Sequence, residues 1–323
     1  MKDHLLIVAL RTTTGLQSLD DLFQGLISLF ELSFPGRIQS YYLGGSYSDG
    51  TAVGDDRSPN ASDIDLFVIF RESVDETEQS TFNVLVDACR LISRIHVDAH
   101  PYALEALVQQ ASSDTSQLGF LNGLIKASSQ LLYGEDIRLV LPDVPFPRYV
   151  LDVIESGLFH VGILRQRGQL SYPWPELLVP PLAYPSASEE FYGYDAVPAP
   201  PGTPRGTRVL VGLTVWIATF ILALETGHVA GRKSQSLQLC KTYLPNDQRI
   251  HLVAAIYDLC KGTWGYALPE QAADREHLRS LCREVLVLEN EHLRFCRNYV
   301  LTQLRQDGIL AQRQALRVLE NAV

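Results

Sequence analysis

Three aspartates draw attention by type and spacing. Asp63 and Asp65 stand one residue apart in "SDIDLFVIF", and Asp98 sits further on in "RIHVDAHPY". In an extended chain, residues two apart face the same side, so Asp63 and Asp65 project together while Ile64 and Leu66 face the core. Two carboxylates held that close disfavour each other's ionisation unless a cation lies between them. A divalent metal relieves the repulsion, and Mg²⁺ is the hard ion usually held by one or two carboxylates together with substrate phosphates. The D-x-D spacing alone is weak, since about one such pair arises by chance in a chain of this aspartate content.

The preceding loop, "GGSYSDG", strengthens it. Gly44, Gly45 and Gly50 let the backbone approach a ligand closely and leave N–H groups for phosphate oxygens. Ser46 adds a hydroxyl donor, so a triphosphate between this loop and metal-bearing acids would be gripped from two sides. In "RIHVDAHPY", His96, Asp98 and His100 share one face. If that strand lies beside "IDLFVIF", Asp98 reaches the same cleft, where it could complete a two-metal site or accept the proton of an attacking hydroxyl. The two histidines read as local hydrogen-bonding partners.

The elements that must hold these residues follow from periodicity. Ser18, Asp20 and Asp21 suit the start of a helix through "LDDLFQGLISLFEL", stopped by Pro35 and Gly36. "RIQSYYLG" reads as a strand, and "IDLFVIF" as a strand buried on both faces. A helical pattern runs from Val74 to Ser93, and "RIHVDAHPY" is a third strand closed by Pro101. "ALEALVQQ" and "SQLGFLNGLIKASSQLLYG" read as helices, the latter stopped at Gly134.

This order predicts an α+β chain: an N-terminal α/β domain with a small mixed sheet over residues 1–140, then a C-terminal α-helical bundle over 207–323. Between them, residues 141–206 hold the helix "RYVLDVIESGLFHVGILRQRG" and a Pro-rich crossover, expected to pack through Trp174, Tyr184, Phe191 and Tyr192. Further helices are expected from Thr207 to Gly227, Ser234 to Tyr243, Asp247 to Lys261, and Pro269 to about Gln312.

"GGSYSDG", "SDIDLFVIF" and "HVDAH" together resemble the signature of the polymerase-beta-type nucleotidyltransferases, and most of all the bacterial aminoglycoside nucleotidyltransferases. The resemblance spans residues 40–100, and "QLLYGEDIR" is similar to the end of that family's catalytic domain. It implies that Gly44, Gly45, Ser46 and Tyr47 bind a nucleoside triphosphate, ATP first among candidates. It also implies that Asp63 and Asp65 bind two Mg²⁺ ions and that Asp98 is the third acid, ligand or base. "AVGDDRSPNA" departs from the pattern as an inserted loop. The helical half resembles the family's C-terminal bundle more diffusely. There the lysine after a Thr-Gly turn reaches the triphosphate, which implies Lys233, with Arg232 as neighbour; the other reading of both is solvated surface charge.

Bulk properties narrow the partners. A formal charge of −10 argues against a protein that grips nucleic acid through phosphates and favours a cationic small acceptor. The five cysteines form no C-x-x-C pair, which points to reduced thiols in a cytoplasmic protein. "VLVGLTVWIATFILAL" is shorter than the roughly 20 residues that span a bilayer and reads as a buried core helix, so no membrane partner is expected. His292 and Cys296 read as core packing, and Glu289 and Glu291 as a solvated helix face.

Three functions are compatible with these residues. The first is transfer of a nucleoside monophosphate, AMP above all, to a hydroxyl of a small molecule such as an aminoglycoside-like polycation, with pyrophosphate release and an expected role in antibiotic resistance. The second keeps the chemistry but modifies tRNA, protein or a second nucleotide. The third is a non-catalytic nucleotide-binding module.

Overall fold

The computed structural model describes residues 8–54, 62–93, 95–109, 117–167, 190–195 and 205–304. The chain divides into two units, Met1–Val144 and Pro145–Val323.

In the first unit, helix α1 (Gln17–Ser33) leads into strand β1 (Ile38–Leu43), and a 3-10 turn at Gly45–Tyr47 precedes β2 (Ile64–Phe70). Helix α2 (Glu76–Ile92) crosses over to β3 (Val97–Ala103). Helices α3 (Leu104–Val108) and α4 (Gln117–Ser128) then lead to β4 (Gln130–Gly134). The four strands form one mixed sheet in the order β3-β2-β1-β4. Among the described residues, β2 and β3 are the neighbours that pair in parallel, and β1 is antiparallel to both β2 and β4.

The sheet is covered on both faces. Ile64, Leu66, Val68 and Phe70 of β2 pack with Phe23, Ile27 and Phe30 of α1 and Phe82 and Val86 of α2. Phe67 and Ile69, on the alternate face, pack with Leu107 of α3 and Leu121 and Ile125 of α4. A strand flanked by cores on both sides needs apolar residues at nearly every position, which is why "IDLFVIF" carries a single charge.

Several local expectations change. The segment expected to end as a helix at Gly134 turns into β4 after Ser128, because Gln130–Gly134 pairs with β1 instead. Gly134, at φ +89, closes that strand where a Cβ would lie 2.2 Å from the Gln39 carbonyl oxygen. Pro101 does not end β3, which continues to Ala103. As the edge strand, β3 tolerates a residue without an N–H. Helix α1 starts at Gln17 without a side-chain cap. Asp20 is buried there, accepting from Thr14 N at 2.7 Å and Thr14 Oγ1 at 2.8 Å.

The second unit is helical in its described residues: α5 (Phe146–Arg167), α6 (Arg208–Thr226), α7 (Lys233–Tyr243), α8 (Gln248–Ile256) and α9 (Ala272–Leu304). The expected helix through Lys261 changes to a wider π-helical segment over Tyr257–Thr263. Helix α6 is long and apolar enough to cross a membrane, yet it is the core of this unit, with Leu210, Leu213, Ile217 and Phe220 buried. It ends at Gly227 in the left-handed conformation, φ 73.

Trp174 and Tyr184 lie outside the described residues, as do residues 55–61 of the inserted loop. The described end of the crossover does pack on α9. The Arg275 guanidinium sits 5.1 Å from the Phe191 ring centre, and Arg283 Nε donates to the Tyr192 hydroxyl at 3.3 Å. Glu289 is not a solvated charge. It is fully buried and accepts from the Tyr194 hydroxyl. His292 and Cys296 are buried, the imidazole edge-on to Phe220 with ring centres 5.0 Å apart.

Candidate active site

The acids gather at one edge of the sheet because of strand direction. Parallel pairing puts Asp65 opposite Asp98 and Ile64 opposite Val97. Residues so paired project to the same face, so Asp65 and Asp98 are neighbours on the face opposite α1 and α2, while Ile64 and Val97 are buried beneath them. Asp63 precedes β2 and is partly exposed, between buried Ser62 and Ile64.

The glycine turn reaches the same edge from β1, which runs antiparallel to β2 and ends at Leu43 opposite Leu66. Gly44 N donates to the Asp65 carbonyl at 2.8 Å, extending the ladder by one bond. Gly45 then adopts φ +59, with its α-carbon directly over the Asp65 side chain. A Cβ there would lie 1.8 Å from Asp65 Oδ2, so only glycine leaves that carboxylate its place. Ser48 fastens the turn, its hydroxyl donating to the Gly45 carbonyl at 2.7 Å and to the Ser128 carbonyl at 3.2 Å. Ser46 lies within the turn, partly exposed. Tyr47 packs its ring against the hydrophobic cluster under α1 and α2.

Asp98 is half-buried between an imidazole and a guanidinium. His100 Nε2 lies 3.0 Å from Asp98 Oδ1, and Arg90 Nη2 lies 3.5 Å from the same oxygen. The His100 hydrogen bond, with the charges of His100, His96 and Arg90, holds the Asp98 carboxyl below the usual carboxylate range. The same bond raises the His100 imidazole. His100 thus bonds locally, as its position two residues from Asp98 suggested. Tyr102, next on this face, has its hydroxyl pushed up to about 12, by burial first and then by the charges of Asp98 and Asp65. Its ring meets Phe67 edge-on at 6.3 Å.

Arg90 and Tyr102 are not among the residues expected beside Asp98 from sequence. Arg90 is an ordinary basic residue in the last turn of a helix, and its reach to β3 depends on the crossover geometry. For Tyr102 the signal was present: it continues the i, i+2 series of Asp98 and His100.

Among the described residues, no three His, Cys, Asp or Glu side chains are drawn together as a metal cage. The donor set nonetheless fits Mg²⁺. Asp65 and Asp98 supply only oxygen and lie side by side, and the missing Cβ of Gly45 lets the Asp65 carboxylate keep its place at that edge. Magnesium sites characteristically rest on one or two carboxylates and complete their shell with water and substrate phosphate rather than protein.

Lys233 belongs to the second unit. It opens α7 directly after Arg232, in the extended conformation, and is partly exposed. Upstream, the Tyr149 hydroxyl fixes Ala230, accepting from its N–H and donating to its carbonyl, both at 2.8 Å.

Fold and site together define an α+β protein in which one sheet edge carries a glycine-serine turn folded over paired acids. No protein-family profile matches the chain, and no curated protein does. Among solved structures, the chain is similar to spectinomycin adenyltransferase AAD(9) from Enterococcus faecialis, solved with ATP and spectinomycin. The likeness covers 84% of this chain and 98% of that one, at 13% identity and a TM-score of 0.49.

Proposed function

We propose that the protein is a Mg²⁺-dependent nucleotidyltransferase that moves a nucleoside monophosphate, AMP first among candidates, from a triphosphate to a hydroxyl of a small molecule and releases pyrophosphate. The observation that carries this reading is the register of Asp65 with Asp98 beneath the Gly44–Tyr47 turn. Two acids side by side on one sheet edge, next to a glycine turn, suit a polyanion brought in with its cation.

In this reading the N–H groups of Gly45 and Ser46 and the Ser46 hydroxyl bind phosphate oxygens and orient the chain of phosphates. Asp63 and Asp65 hold the metal, with Asp98 beside them. Bound Mg²⁺ supplies charge stabilisation to the attacking and leaving oxygens of an in-line displacement. Asp98, kept ionised by its neighbours, accepts the proton of the acceptor hydroxyl as that oxygen approaches the α-phosphorus. The bond from acceptor oxygen to phosphorus forms as the bond to the bridging oxygen of pyrophosphate breaks. The acidic balance of the chain favours a cationic acceptor over nucleic acid, and a cytoplasmic setting suits its unpaired thiols.

The test is pyrophosphate release from each nucleoside triphosphate with Mg²⁺, in the presence of aminoglycosides, spectinomycin, tRNA or cell extract. Release that requires an acceptor and Mg²⁺, and is lost in Asp65→Ala, supports the reading. Nucleotide binding without turnover in any arm returns the protein to a binding module.

A further inference from the structure

Arg90 and His100 approach the same oxygen of Asp98: His100 Nε2 lies 3.0 Å and Arg90 Nη2 3.5 Å from Oδ1. His100 shares strand β3 with Asp98, whereas Arg90 comes from α2, so the guanidinium holds the carboxylate from outside its own strand.

Arg90 is tied down through each of its guanidinium nitrogens. Its Nε donates to the Val97 carbonyl at 2.7 Å, the peptide oxygen immediately before Asp98. Its Nη1 donates to Asp87 Oδ1 at 3.1 Å, three residues back on α2. One planar fork therefore joins the end of the crossover helix, the backbone that carries the acid, and the acid itself. A lysine could reproduce one of these contacts but not three at fixed angles.

Resting on the function proposed above, we infer that Arg90 is a positioning residue for Asp98. By holding Oδ1 together with His100, it presents Oδ2 toward Asp65 and the acceptor hydroxyl, and it offsets the repulsion between two adjacent acids before any metal arrives. Arg90 itself touches neither nucleotide nor metal. Its loss should act on the chemical step and not on nucleotide affinity.

The experiment compares Arg90→Ala, Arg90→Lys and wild type for kcat and for the KM of the nucleotide. Arg90→Ala is expected to lower kcat about 10- to 100-fold, as for other residues that orient a catalytic ligand, with nucleotide KM within about twofold. Guanidinium chloride at millimolar concentration should restore part of the kcat of Arg90→Ala and leave wild type unchanged, and Arg90→Lys should fall between the two. Unchanged kcat in Arg90→Ala would overturn the inference. So would a loss that tracks only the folded fraction by near-ultraviolet circular dichroism.

Crystal structures of wild type and Arg90→Ala supply a readout independent of turnover. The carboxylate of Asp98 should leave its wild-type rotamer or occupy two; an unmoved carboxylate overturns the inference. If wild type shows no turnover with any acceptor, the proposed function fails by itself, and the rotamer of Asp98 still decides the role of Arg90.

Discussion

Gly45→Ala separates chemistry from stability more sharply than substitution of an acid. The added Cβ would lie 1.8 Å from Asp65 Oδ2 and 2.9 Å from Asp65 Cγ, whereas ordinary contact begins near 3.4 Å. The obstacle is the end of a side chain, so the carboxylate swings away by about 1.5 Å and the backbone survives. A misplacement of about 1 Å in a reacting constellation costs on the order of 100-fold in rate, so turnover should fall at least that far. Stability should fall by only the cost of a left-handed alanine at φ +59, about 1–2 kcal/mol. Gly36→Ala, outside the glycine turn, is the matched control. At φ +69 it carries the same backbone strain, but no atom lies within 4 Å of its added Cβ. Pyrophosphate release and thermal unfolding on both variants test the reasoning. The two should unfold at similar temperatures while only Gly45→Ala loses turnover. Wild-type turnover in Gly45→Ala, or equal losses of turnover in both, would show that the position of the Asp65 carboxylate does not matter to the chemistry.

Asp98→Asn should bind nucleotide normally and lose nearly all turnover; a variant as fast as wild type in the pyrophosphate assay removes Asp98 from its role. Lys233→Ala should weaken nucleotide affinity in a titration while kcat changes less, and unaltered affinity returns the residue to solvent. Gly134→Ala should destabilise by about 3 kcal/mol or more, because its Cβ would meet backbone atoms of Gln39 and Ser40 at 2.2 and 2.7 Å, which cannot rotate away; denaturant titration measures it, and a loss under about 1 kcal/mol would contradict the packing at β4. His292, buried and lowered to about 3 by desolvation, is neutral when folded, whereas the unfolded chain protonates it below about 6.5. Its contribution is therefore complete above pH 6.5 and is lost as pH falls toward 3, at up to about 1.4 kcal/mol per pH unit. Urea midpoints at pH 7.5, 6 and 5 should fall more steeply for wild type than for His292→Gln, and parallel midpoints would refute the assignment.

Much of this architecture was legible because local signals and tertiary roles agree. "IDLFVIF" has apolar residues wherever the two covering layers demand them, and β2 matches it residue for residue. Asp98 was placed by parity alone, and the parallel register sets it opposite Asp65. What misled was "SSQLLYG", whose leucines suit the end of a helix as well as a strand. Its pairing to β1 is a contact about 90 residues distant in sequence, which no local pattern encodes. Glu289 misled for a related reason. A glutamate among helix charges is usually solvated, and its burial depends on Tyr194, which arrives from the crossover. Arg90 was invisible because its partners are a carbonyl and an acid on another element.

The mixed direction of the sheet explains why the acids stand where strands begin. In open parallel sheets, ligands collect beyond the carboxyl ends of the strands, where helices start. Here Asp65 and Asp98 are each the second residue of a strand, at the amino ends of the one parallel pair. Because β1 is antiparallel to β2, its carboxyl end, with the glycine turn, lies at that same edge. β4 begins there too, and Ser128, just ahead of it, anchors the turn through Ser48. An all-parallel sheet would put the turn and the acids at opposite ends of the strands. Reversing β1 brings the glycine turn and the paired carboxylates to one edge, with Ile64 and Leu66 of β2 and Val97 and Ala99 of β3 buried beside them.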